Sequence, residues 1–309
     1  MRPGAPARAL IAVLSVAAVI AAAGGGCDSA GPTAPAVHKA RASAPQKQRS
    51  WALLVAGSHG WENHRHQADA LAQYRLLRSR GVSDSRIVLV AAGDIAHAAD
   101  NPKPGTVRQR VGEEDLARDV TVDYSPDQLS GPDVGRIITG RRSPRLPQVI
   151  DSRRGDNVYV YLAGHGNRRG FQLGLDQPVP RTGDRYSLLS PRRLRAAIDA
   201  LAGARRYRRL LVAIETCNAG VFGPSVRAPG AALLAAAGAR AKSLSANYDP
   251  RGATWLADEF SYRLQREVRE RPGLGLSAAH HRLRRAVRGS HPRAYGYLRG
   301  ARLGDFFSP

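Results

Sequence analysis

Cysteine is scarce in this chain of 309 residues, which has only Cys27 and Cys217. Exported proteins normally use cysteines in disulfide pairs, so the role of each thiol has to be explained. The chain also lacks a metal-ligand cluster and a glycine-rich phosphate loop, and we therefore assign no metal and no cofactor. Lysine is nearly absent and occurs only at Lys39, Lys47, Lys103 and Lys242.

The formal net charge of +22 therefore comes almost entirely from arginine. Arginines are spread along the whole chain, and no recognisable nucleic-acid module accompanies them, so we predict no specific nucleic-acid partner. Two interpretations of the charge stay open. One is a solvated surface with a compositional bias, and the other is a weak affinity for anionic surface polymers. A hydrophobic content of 43% argues against wholesale disorder.

The first residues resemble an export signal. Arg2 and Arg8 precede an apolar run at residues 9–23 that is too short to span a bilayer comfortably. Three glycines and Cys27 follow, as in a bacterial lipoprotein signal whose cysteine becomes lipidated. Ordinary signal cleavage and an uncleaved anchor are the alternatives. We expect a signal peptide at residues 1–26, a membrane-attached lipid anchor on Cys27, and an exported protein at the cell surface or secreted.

Residues 27–50 are rich in alanine, proline and serine and are predicted to be a flexible tether before a domain at residues 51–309. In this domain, short apolar runs alternate with amphipathic stretches. Strands are predicted at residues 51–56, 87–92, 157–163 and 210–214. Helices are predicted at residues 67–80, after Ser190, and from about residue 254. The polar segment between residues 93 and 156 is predicted to be loops with little regular structure.

This alternation predicts an α/β fold, a mostly parallel sheet with helices on both faces. Ligands bind such sheets beyond the carboxyl ends of the strands. Asn63, His165 and Cys217 each follow one of the predicted strands, so we expect them at the same edge of the sheet.

Cys217 and His165 form a candidate nucleophile and base, because a thiolate needs a neighbouring base or positive charge. Asn63 is a candidate for orienting the imidazole. The amides of Gly166 and Cys217 are candidate donors to an oxyanion. Taken singly, each of these residues has a purely structural interpretation; their common position at strand ends favours catalysis.

Several segments also resemble the legumain (asparaginyl endopeptidase) family of the caspase clan. They are VAGSHGWENHRHQADA, DIAHAADNPKPG, DVTVDYSPDQL, YLAGHGN and IETCNAG, in family order. The resemblance implies a caspase-like three-layer sandwich. It also implies that Cys217, His165 and Asn63 are the catalytic residues.

The resemblance further implies a specificity pocket formed by Arg65, His66, Glu215 and Asp258. Such a pocket suits the carboxamide of asparagine, and a protonated aspartate would mimic that group. We therefore expect a cysteine endopeptidase that acts on protein or peptide substrates. The alternatives are a transamidase or peptide ligase of the same family, and a non-catalytic surface binding module with this fold.

Overall fold

The computed structural model describes residues 49–174 and 187–309. The predicted signal peptide, Cys27 and most of the predicted tether lie outside these residues. Among the helices of the described ranges, none is long and apolar enough to cross a membrane.

The secondary structure alternates as the sequence predicts. The strands are β1 (Ser50–Ala56), β2 (Ile87–Val90), β3 (Asn157–Ala163), β4 (Gly166–Asn167), β5 (Gly170–Leu173), β6 (Ser187–Leu189), β7 (Arg209–Glu215), β8 (Ala231–Ala235), β9 (Ser245–Asp249), β10 (Thr254–Asp258) and β11 (Arg293–Gly296). The helices are α1 (His64–Ser79), α2 (Gly131–Ile138), α3 (Pro191–Gly203), α4 (Glu259–Glu270) and α5 (Leu276–Ala286).

The main sheet has six strands in the order β11-β8-β7-β3-β1-β2. The neighbours from β8 to β2 are parallel, and β11 pairs antiparallel with β8. The described residues also form two smaller antiparallel sheets, β9-β10 and β4-β5-β6. Long apolar strands in parallel pairing require cover on both faces.

Each face of the sheet has its own apolar core. On β1, Ala52 and Leu54 belong to a cluster with the buried residues of α1, α4 and α5. Leu53 and Val55 belong to the opposite cluster, with the buried residues of α2 and α3. This alternation follows from the two-residue period of a strand. The predicted α/β three-layer sandwich with a mostly parallel sheet is confirmed.

The prediction of a helix from residue 254 is wrong at its start. Residues 254–258 form β10, which pairs antiparallel with β9, and α4 begins only at Glu259. Trp255 is exposed and Leu256 is buried, as the alternation of a strand requires. Buried residues at helical spacing begin only at Phe260. Similarly, α1 begins at His64, earlier than the predicted residue 67.

The prediction of little regular structure between residues 93 and 156 is wrong at α2. Ser130 caps this helix, since its hydroxyl accepts a hydrogen bond from the Asp133 amide at 3.3 Å. The helix buries Val134, Ile137 and Ile138 in the apolar core that also contains Leu53 and Val55 of β1. The capping pattern was a local signal for this helix.

Replacing Ile137 with alanine tests whether α2 contributes to the core. We expect Ile137→Ala to lower the free energy of unfolding by about 2–5 kcal/mol, because the side chain is fully buried and leaves a cavity. The control Arg136→Ala, on the exposed side of the same helix, is expected to change it by no more than about 0.5 kcal/mol. Urea unfolding measures both, and equal small effects would contradict the packing described for α2.

Candidate active site

Three neighbouring strands bring the candidate catalytic residues to one edge of the sheet. β7, β3 and β1 are adjacent and parallel, so their carboxyl ends lie side by side. Cys217 follows β7, His165 follows β3, and Asn63 follows β1 at the start of α1. The structure therefore places the three residues as the sequence predicts, beyond the strand ends where such sheets bind ligands.

The His165 imidazole is oriented by Asn63. Its Nε2 atom lies 2.8 Å from Asn63 Oδ1, and the Asn63 Nδ2 group donates to the His59 carbonyl at 2.9 Å. Because an amide oxygen only accepts, His165 Nε2 carries the hydrogen of this bond. The second ring nitrogen, Nδ1, is then the basic atom of the neutral imidazole.

The environment of His165 favours the neutral imidazole. Burial lowers the pKa of His165, and the positive charge of Arg65 lowers it further, while Glu62 opposes them. The His66 ring stands perpendicular to the His165 ring, with centroids 4.9 Å apart. A neutral imidazole is the form that accepts a proton from a thiol.

Cys217 is a free, half-buried cysteine in the turn after β7. Its Sγ atom lies 3.8 Å from the Ser243 carbonyl oxygen. The next residue, Asn218, adopts a left-handed conformation with φ of 59°, which asparagine tolerates better than most residues. Its amide donates to the Ala241 carbonyl at 2.8 Å, which ties the turn to the following loop.

Gly166 lies against the turn that carries Cys217. The Gln172 amide donates to the His165 carbonyl at 3.0 Å, so the next pair of this antiparallel ladder, Gly166 and Phe171, is not hydrogen-bonded. The Gly166 N–H therefore points away from β5. A side chain at Gly166 would collide with the Thr216 hydroxyl, so this close approach requires glycine.

The predicted specificity residues share a cleft with the predicted catalytic residues. This cleft has a volume of about 110 Å³. Its lining includes Cys217, His165, Arg65, His66, Glu215 and Asp258.

Arg65 and Asp258 form the central ion pair of this cleft. The Arg65 Nε atom lies 3.1 Å from Asp258 Oδ1, and the two side chains are 17% and 7% exposed. Arg65 also donates to the Glu62 carbonyl at 2.8 Å. Burial raises the pKa of Asp258 to about 6, and the Arg65 charge limits this rise. The second carboxyl oxygen, Oδ2, is buried and has no hydrogen-bond partner among the described residues.

Glu215 is held from two sides. Its Oε2 atom accepts from the Ser261 amide at 2.9 Å and from the Ser261 hydroxyl at 3.0 Å. Its Oε1 atom accepts from the Ser243 hydroxyl. Burial and the charge of Asp258 raise the pKa of Glu215 to about 8.

His66 is buried beneath the cleft. Its Nδ1 atom lies 2.5 Å from the Ser58 hydroxyl, and its Nε2 atom lies 3.8 Å from Asp258 Oδ2. Burial lowers the pKa of His66 well below its ordinary value, and the positive charge of Arg65 lowers it further. His66 is therefore a neutral wall of the cleft.

Asp69 is a third buried acid that the sequence reasoning missed, as it missed Ser243 and Ser261. Its carboxyl oxygens accept from Gln109 Nε2 at 2.6 Å and from the Asp258 amide at 3.1 Å. Burial and the charges of Asp258 and Glu215 raise the pKa of Asp69 well above its ordinary value. A local signal was available, because Asp69 follows Arg65 by one helical turn.

The sequence matches a known family of peptidases. A model of the peptidase C13 family matches residues 50–303. The chain belongs to the peptidase C13 family. The resemblance to legumain-type peptidases predicted above is thereby confirmed, while the bacterial lipoprotein signal stays a prediction.

Relatives of this C13 chain have two kinds of name. It is 31% identical over 219 residues to the GPI-anchor transamidase of Mus musculus, covering 69% of this chain and 52% of that protein. It is 27% identical over 255 residues to legumain of Homo sapiens, covering 80% and 56%. The solved structure of caspase-1 from Spodoptera frugiperda matches with a TM-score of 0.46 at 12% identity, covering 82% of this chain and 91% of that one. The chain spans about half the length of the curated relatives it matches.

Removing the Arg65 charge from this C13 chain tests the electrostatics of the site. We expect Arg65→Gln to raise the pKa of His165, because a nearby positive charge disfavours the imidazolium. NMR titration of histidine-labelled protein measures the change, with the His165 signal assigned from a His165→Gln sample. Arg153→Gln, before β3 at the opposite edge of the sheet, is the control and should leave the value unchanged. An unaltered value in Arg65→Gln would contradict this account.

Proposed function

We propose that this C13 chain is a cysteine endopeptidase that cleaves the peptide bond after asparagine through an acyl-enzyme on Cys217. One observation carries the proposal. The 2.8 Å contact between His165 Nε2 and Asn63 Oδ1 leaves a neutral imidazole with a basic Nδ1 in the same cleft as the Cys217 thiol. A thiol, an oriented base and a group that orients the base are the parts that nucleophilic catalysis needs.

In the proposed reaction, His165 Nδ1 takes the thiol proton and the thiolate attacks the substrate carbonyl carbon. The amides of Gly166 and Cys217 donate hydrogen bonds to the oxyanion that forms. The imidazolium then protonates the leaving amine as the C–N bond breaks, which leaves a thioester on Cys217. Water, deprotonated by His165, hydrolyses this thioester and restores the thiol.

The preference for asparagine is supported by the arrangement of Arg65 and Asp258. A carboxamide offers an acceptor oxygen and a donor nitrogen on a short side chain. Arg65 supplies N–H donors, and Asp258, which also lines the cleft, supplies a carboxylate acceptor. Both oxygens of Glu215 already accept hydrogen bonds, so Glu215 shapes the cleft and leaves recognition to Arg65 and Asp258.

The proposal is tested with the two cysteines of the chain. We expect purified protein to cleave fluorogenic peptides after asparagine, and Cys217→Ala to lower kcat by at least about a thousandfold. Cys27→Ala is the matched control and should keep full activity. Activity that survives in Cys217→Ala would rule out this thiol as the nucleophile. Iodoacetamide that fails to label Cys217 selectively would favour the non-catalytic binding module.

A transamidase is the second candidate, favoured by the relatives named GPI-anchor transamidase at 31–32% identity. The acyl-enzyme is common to both candidates, and the outcome depends on whether water or an amine attacks the thioester. The same assay distinguishes them when an amine such as glycine amide is added. Mass spectrometry would then find the amide product in place of the free acid.

The buried acids predict a pH-dependent choice between asparagine and aspartate. As pH falls through the raised pKa of Asp258, this carboxyl gains a proton, Arg65 keeps its charge, and the net charge of the pair changes from zero to positive. As pH rises through the raised pKa of Glu215, the cleft gains a negative charge. We therefore expect the ratio of kcat/KM for aspartate over asparagine peptides to rise as pH falls.

Paired peptides that differ only in this residue measure the ratio from pH 4 to 9. In Asp258→Asn the carboxyl that titrates is gone, so the acid part of the dependence should flatten. A ratio that is independent of pH in the unaltered protein would contradict the proposed recognition by Asp258.

A further inference from the structure

One loop forms a wall of the candidate cleft on the side of Cys217, and a second loop packs behind it. The first, residues 238–244, is bound to the turn of the nucleophile, since Asn218 donates to the Ala241 carbonyl at 2.8 Å and to the Ala239 carbonyl at 3.0 Å. Its last two residues, Ser243 and Leu244, line the cleft. This loop therefore borders the site directly.

The second loop, residues 288–293, packs against the first. The Ser290 hydroxyl accepts from the Leu244 amide at 2.8 Å. Gly289 lies so close to Leu244 that a Cβ there would collide with the leucine side chain. Arg293 opens β11 opposite Ala235, at the carboxyl end of β8. Both loops thus lie at the edge of the sheet that carries the site.

The exposed polar side chains of these loops are basic. We name them the basic rim, which comprises Arg240, Lys242, Arg288, His291 and Arg293, all exposed. None of the five makes an ion pair with an acid of the described residues. By contrast, Arg266 and Arg282 elsewhere on the surface pair with Glu270 and Glu267.

One acid, Glu259, contacts the second loop through its main chain. Its carboxylate accepts from the amides of Arg288 and Gly289 at 2.8 and 2.9 Å, and it forms no ion pair with a side chain of the rim among the described residues. Near Asn63, the exposed acids are Glu62, which precedes it in the chain, and Asp94, whose carboxylate accepts from the Gly60 amide at 2.8 Å. The basic rim therefore lies on the side of Cys217, whereas Glu62 and Asp94 lie near Asn63.

We propose that the basic rim is a docking surface for acidic residues of a peptide substrate, on either side of the residue held in the cleft. This inference rests on the proposed function, because a peptide bound for cleavage has to pass Cys217 and hence the rim. Each exposed ion pair contributes little by itself, but several charges of one sign together speed the association of an oppositely charged partner. At 0.1 M salt, exposed charges more than about 10 Å apart are largely screened from one another.

Three peptides with one central asparagine test the rim. One has two glutamates before the asparagine, one has two glutamates after it, and one has neutral residues at all four positions. We expect at least one acidic peptide to exceed the neutral peptide about tenfold in kcat/KM at low ionic strength. The advantage should fall steeply when salt is added.

The test variant is the triple substitution Arg240→Gln, Lys242→Gln and Arg293→Gln. The matched control is Arg153→Gln, Arg154→Gln and Arg205→Gln, which removes the same charge from exposed positions before β3 and β7 at the opposite edge of the sheet. We expect the rim variant to lose the advantage of the acidic peptide and the control to keep it. Cleavage of the neutral peptide should be the same in all three proteins.

Failure of the rim and failure of the proposed function give different results. If acidic and neutral peptides are cleaved equally by the unaltered protein, the rim proposal is wrong and the peptidase proposal stands. If no peptide is cleaved, fluorescence anisotropy of the labelled peptides on Cys217→Ala measures docking without turnover, and equal affinities overturn the rim proposal. Tight binding of polyphosphate through the rim, without preference among the peptides, would assign the surface to an anionic polymer instead.

Discussion

The site depends on the register of three parallel strands, β1, β3 and β7. Ala56 of β1 is opposite Ala163 of β3, and Ala163 is opposite Glu215 of β7. The three strands therefore end at the same height, and the residues that follow them meet. A shift of one residue along any strand would turn its side chains to the other face and separate the thiol from the imidazole. The two apolar cores hold this register, because each strand buries alternate residues on both faces.

The second constraint is the burial of three acids that influence one another, of which one pairs with a guanidinium. Asp69, Glu215 and Asp258 are buried at the cleft, and Arg65 is the ion-pair partner of Asp258. Three buried carboxylates cannot all be ionised beside a single positive charge, so the structure distributes protons unequally among them. Their hydrogen bonds to main-chain amides and serine hydroxyls offset part of the cost of burial. The charge of the cleft is thus a property of the whole cluster.

Much of the fold follows from local sequence patterns. The strand at residues 157–163 has the predicted bounds, and the helix after Ser190 begins as predicted because the Ser190 hydroxyl accepts from the Arg193 amide at 3.3 Å. The prediction fails at residues 254–258, where Leu256 falls at helical spacing from Phe260 although it belongs to a strand. Pairing with β9 overrides the local spacing there, and only the tertiary structure supplies that partner.

The sequence by itself determined the candidate catalytic residues, since a thiol, an imidazole and an asparagine each follow an apolar run and such runs form adjacent parallel strands. Only the tertiary structure decided which nitrogen of His165 is basic and which buried acids have raised pKa values. Hydrogen-bond direction and charge state depend on distances and burial among residues far apart in the chain, such as Asp69 and Asp258. A strand follows from the pattern of neighbouring residues, whereas the charges of a buried cluster depend on residues that only the fold brings together.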